Sequence, residues 1–75
     1  MLLRAEDGAK FRAEIIEEGA DVLASYFIEG TVKGEVMSQS DRRVFASEQE
    51  ARAWLIGEAD KRGFPGFQPQ IKAAH

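Results

Sequence analysis

Carboxylates are the most numerous side chains able to do chemistry in this chain. Thirteen Asp and Glu occur in 75 residues, with Glu17 and Glu18 adjacent and Asp21, Glu29 and Asp41 spaced farther along the chain. Two carboxylates can divide acid and base roles when their surroundings push their pKa values apart. Glu17-Glu18 falls in a turn-like segment, EEGAD, where solvated charge is the norm, and nothing adjacent supplies a pocket. Ser25, Ser38, Ser40 and Ser47 lack a base to activate them, because the one histidine, His75, is the final residue. With no cysteine, thiolate metal ligation and disulfides are both excluded. Asp21, Glu29 and Asp41 do not have the spacing of a calcium loop. Gly30-x-x-x-Gly34 is not followed by Lys-Ser/Thr and so is no phosphate loop. The chain reads as no enzyme, with no cofactor and no metal.

The remaining chemistry is recognition. Arg42-Arg43 is the densest basic spot, and with Arg12 and Lys33 it could contact nucleic-acid phosphates. Glutamates 14, 17, 18, 29 and 35 share that region, and the formal net charge is −3, a poor electrostatic footprint for a phosphate binder. The absence of a 20-residue apolar run argues against a membrane span, and the N-terminus does not read as a secretory signal. The expected location is cytoplasmic.

Elements must position whichever residues act. Residues 9–17 alternate, with Phe11, Ala13 and Ile15 on one side and Lys10, Arg12 and Glu14 on the other, the period of a half-buried strand. Ile16 is an apolar residue on the polar side. Asp7-Gly8 carries a hairpin signal, and Gly19 can take the positive φ of a tight turn. The run VLASYFI, residues 22–28, is apolar on both faces, a pattern of strands covered on both sides. The next hairpin turns at Gly30 or Gly34, with a bulge at the other. SQSD, residues 38–41, is a further turn candidate before a short last strand, RRVFA.

The spacing predicts a helix over residues 47–62. Ser47 and Glu50 form a capping-box pattern, acidic residues fill the first turn, and Lys61 and Arg62 fill the last. Gly63 is the left-handed stop, Phe64 its hydrophobic contact, and Pro65 prevents continuation. Ala51, Leu55 and Ala59 make the buried stripe, which leaves Trp54 and Ile56 on opposite flanks. The tail, residues 64–75, is expected to be extended, pinned by Phe64, Phe67 and Ile71, with its last residues mobile.

Strands followed by F-x-S-x-x-E-A-x-x-W, here Phe45, Ser47, Glu50, Ala51 and Trp54, then a helix ending in Arg-Gly, resemble the end of AP2-like domains and the arm-type N-terminal domains of phage integrases. That resemblance implies a three-stranded antiparallel sheet on one C-terminal helix. It also implies a sheet that enters the DNA major groove, although those domains are basic and this chain is acidic.

The expectation is a single α+β domain, an antiparallel meander of three or four strands packed against one C-terminal helix. The expected core is Phe11, Ala13, Ile15, Phe27, Val36, Phe45, Ala51, Leu55 and Ala59, with Trp54 and Phe64 at its edges. One helix covers one sheet face, so the tail, a second copy of the chain or another protein must cover the other. The leading function is a non-catalytic interaction or assembly module, a homodimer or a binder of an unknown protein, acting through Ile16, Val22, Tyr26 and Ile28. The alternative is a nucleic-acid-binding module using Arg12, Lys33, Arg42 and Arg43.

Overall fold

A computed structural model describes residues 3–69. A short 3-10 turn, Ala5–Asp7, leads into three strands and a helix: β1 (Lys10–Glu18), β2 (Asp21–Val32), β3 (Glu35–Phe45) and α1 (Glu48–Lys61). The strands form one antiparallel sheet in the order β1-β2-β3, and the helix packs on one of its faces. This is the expected α+β meander, with three strands. Ile71 and His75 lie outside the described residues.

Turn chemistry decides which side chains share a face. Gly19 has φ 61° and Ala20 does not have positive φ, the pattern of a type II′ turn, which suits the twist of a two-residue hairpin. Glu18 therefore pairs with Asp21, and odd positions of β1 share a face with even positions of β2. The second hairpin turns at Lys33-Gly34, both with positive φ (52° and 83°), as a type I′ turn requires. Val32 then pairs with Glu35, and Val22 comes opposite Phe45.

That register corrects the face assignment drawn from the sequence. Val22, Tyr26 and Ile28 point toward the helix and are buried with Ile15, Ala24, Ala51 and Leu55 in the main core. They are not available to a partner. Phe27 and Val36, expected in the core, lie on the opposite face with relative exposures of 39% and 74%. The run 22–28 is apolar on both sides, so its periodicity does not discriminate; the two-residue turn does.

Three further expectations are revised. Asp7-Gly8 closes the 3-10 turn, with Gly8 N–H donating to the Ala5 carbonyl, and forms no hairpin. SQSD is no turn either, because β3 runs unbroken through it, paired residue by residue with β2. Gly30 does not bulge: it pairs with Met37, and a Cβ built on it would sit 2.9 Å from the Ala9 Cβ. The missing side chain lets the segment carrying Leu3 and Ala9, both buried, close over that end of the sheet.

The helix matches its sequence signals. The Ser47 hydroxyl accepts from Glu50 N–H at 3.2 Å, and Ala51, Leu55 and Ala59 are fully buried. At the C-terminus, Phe64 N–H donates to the Ala59 carbonyl at 2.8 Å and Gly63 N–H to that of Asp60 at 3.2 Å, a Schellman ending around Gly63 at φ 83°. Trp54 is the flank that tucks in, its ring 5.6 Å from both Tyr26 and Phe45, while Ile56 is exposed.

Candidate interaction face

The two sides of the sheet differ in what lies on them. On the helix side, Phe11 stacks on Tyr26 at 5.2 Å between centroids, and the tail returns to the same side, with Phe64 and Phe67 at 5.5 and 4.7 Å from Phe11. The described tail therefore thickens the existing core and leaves the second face uncovered. Burial pushes the Tyr26 phenol above its ordinary pKa, an effect that the nearby Arg62 guanidinium opposes. Arg62 stands 5.2 Å over the Tyr26 ring and within 3.7 Å of Glu58.

The second face can be read off the strand register as a set of cross-strand rows. Ile16, Leu23 and Val44 form an apolar row near the β1–β2 turn. Next comes Glu14, Ser25 and Arg42, then Arg12, Phe27 and Ser40, then Lys10, Glu29 and Ser38. Small Ser25 leaves a shallow groove in the middle, bordered by Arg12, Glu14 and Phe27 on one side and by Ser40 and Arg42 on the other. Val36 projects from the part of the β2–β3 hairpin that extends past the end of β1. Phe27, Val44 and Val36 are exposed, while Ile16 and Leu23 are half-buried by their neighbours.

The residues expected to act are thus divided. Of the partner-binding set, Ile16 alone lies on the uncovered face. Sequence reasoning missed Leu23, Phe27 and Val44, which take the places assigned to Val22, Tyr26 and Ile28. The signal that could have found them is the turn: a two-residue connection at Gly19-Ala20 makes Ile16 a neighbour of Leu23. Of the basic set, Arg12 and Arg42 share the uncovered face, and Lys33 sits in the distal turn. Arg43 is turned to the helix side, its guanidinium 5.7 Å over the Trp54 ring. A four-residue basic cluster is therefore not assembled.

Among the described residues, no three His, Cys, Asp or Glu side chains are grouped to hold a metal ion, and no helix is long and apolar enough to cross a membrane. Searches against protein-family models, curated proteins and solved structures find no match.

Proposed function

We propose that this protein is a non-catalytic interaction or assembly module whose working surface is the sheet face opposite the helix. One observation carries the reading: β2 presents Leu23 and Phe27 there, flanked by Ile16 and Val44, with neither helix nor described tail over them. An antiparallel sheet can leave one face to solvent, but such faces alternate cleanly to polar residues. Here the face keeps a complete apolar row and an exposed phenylalanine, the kind of surface that marks a docking site.

Backbone and methyl NMR spectra of the labelled chain test the reading in two series, a dilution series and a titration with cell extract. Shift changes in either series should map to Ile16, Leu23, Phe27 and Val44 and spare Ile15, Ile28 and Leu55. Changes confined to the helix side, or none in either series, would sink it.

A further inference from the structure

The rows of the uncovered face have an order that matters for what can cover them. Glu14 and Arg42 occupy one row at opposite edges of the sheet, with Ser25 between them. An all-apolar row lies on one side of them and Phe27 on the other. A surface with opposite charges placed symmetrically about a central strand is complementary to its own copy under one particular rotation. That rotation is a two-fold axis running along β2, midway between two facing sheets.

We propose that the occupant of this face is a second copy of the chain, packed face to face about a two-fold axis parallel to β2. The proposal rests on the reading of the open face as a docking surface and names its partner. The rotation lays β1 of one protomer over β3 of the other at the same height, so each row meets itself reversed. Glu14 comes opposite the partner's Arg42 and Arg42 opposite the partner's Glu14, giving two symmetric ion pairs. Ile16 lies over the partner's Val44, Leu23 over its own copy, and Phe27 over its own copy. Arg12 and Lys10 meet the partner's Ser40 and the partner's Ser38, not another cation. Two acidic residues do meet their copies, at opposite ends of the face: Glu29, where each has Lys10 directly across the strand pair, and Asp21, beside the β1–β2 turn. Sheet twist adds the angle of about 30° usual between aligned sheets and splays both ends.

The competing symmetric arrangement fails on charge. A two-fold axis perpendicular to the strands through the Glu14–Ser25–Arg42 row would set Glu14 on Glu14 and Arg42 on Arg42. Like charges directly opposed disfavour an interface. The face also limits the strength of the dimer. Seven residues of three strands span roughly 24 Å by 14 Å, less than the ~800 Å² per partner of a standard interface. Association is therefore expected in the micromolar range or weaker, a transient dimer rather than an obligate one.

Sedimentation velocity on the full chain, from about 1 µM to about 1 mM, reads the mass directly and brackets that weak range. The wild type should pass from monomer to dimer. Arg42→Glu alone and Glu14→Arg alone should each weaken dimerisation at least about tenfold, because each sets like charges face to face twice. Both should keep the far-UV CD spectrum of the wild type, since neither residue belongs to the core.

The decisive sample is an equimolar mixture of those two variants. In the mixed pair positions 14 and 42 again face opposite charges, so dimer should return although neither variant forms it alone. An ion pair confined within one chain would give no such rescue. A wild type that stays monomeric across the range overturns the proposal, and so does a mixture that fails to dimerise. The docking reading stands or falls separately, on whether extract shifts the face residues when dilution does not. If a mixed oligonucleotide pool shifts those residues at low salt and the chain stays monomeric, the occupant is nucleic acid and the dimer is wrong.

Discussion

The two faces of the sheet are built from the same strands, yet one is a closed core and the other an open mixture. On the helix side, Ile15, Ala24, Tyr26, Ile28 and Leu55 are buried, and large rings from all three strands, the helix and the tail meet around Phe11, Tyr26 and Trp54. On the other, apolar Leu23 and Phe27 alternate with Ser25 and Glu29 along the same strand. The lesson is that β2 carries apolar residues on both sides in two different settings. Its even positions hold the domain together, and its odd positions lie under neither the helix nor the described tail.

The sharpest break in that comparison comes from putting the same charge on neighbouring residues. Tyr26→Glu buries a carboxylate between the Phe11 and Trp54 rings, at a penalty of several kcal/mol, comparable to the whole stability of a domain this small. Phe27→Glu, one residue on, points to solvent and should leave the thermal transition within about 0.5 kcal/mol of wild type. Thermal melts by CD at low concentration separate the two. A folded Tyr26→Glu protein would return Tyr26 to the open face.

A smaller effect probes how closely the helix side is sealed at its far end. Gly30→Ala places a methyl against the Ala9 Cβ and backbone, which cannot swing aside as a long side chain could. Destabilisation of about 1–3 kcal/mol is expected from such overpacking, readable as a lowered urea midpoint at unchanged slope. An unaltered midpoint would mean that the segment carrying Leu3 and Ala9 floats free of the sheet.

Gly57 offers the converse. It lies on the solvent side of α1, and an added Cβ there meets nothing within 4 Å. Gly57→Ala should stabilise the domain by about 1 kcal/mol through helix propensity alone. A loss instead, measured in the same urea titration, would place a contact on the helix's outer surface.

The smallest effect is alkaline. The folded pKa of Tyr26 lies above its unfolded value, so its contribution is fully present below about pH 10 and fades as pH rises from there through the folded value. Arg62 moderates the change. Urea midpoints should fall more steeply above pH 10 in the wild type than in Tyr26→Phe; parallel curves would show that another group controls the alkaline limb.

The helix was legible in the sequence from its Ser47 cap to its Gly63 stop, because Ser47, Gly63 and Phe64 each act on backbone groups within a few residues of themselves. The alternating β1 was legible for a similar reason. The parity of β2 was not, since a run apolar on both sides has no preferred face until a turn of definite length joins it to β1. The continuity of β3 was hidden too. Ser38, Ser40 and Asp41 look like turn residues, but on an edge strand bonded along its length to β2 the backbone ladder overrides them. The open-face residues Leu23, Phe27 and Val44 were missed through the parity of β2 alone, and Glu14 facing along a row to Arg42 is visible only once all three strands are in register.

The meander has one more consequence, for how the chain reaches this state. Each strand pairs only with its neighbour in sequence, through turns of two residues, so the first contacts close very short loops. The helix alone must wait, since its buried stripe has no surface to rest on until β2 is aligned. Folding should therefore run on the fast side for a sheet protein, in roughly milliseconds. The hairpin joining β2 to β3 should be formed at the barrier, and the helix contacts should arrive after it. In stopped-flow refolding, Leu55→Ala should then speed unfolding far more than it slows folding, whereas replacing Gly34 with a β-branched residue should do the reverse.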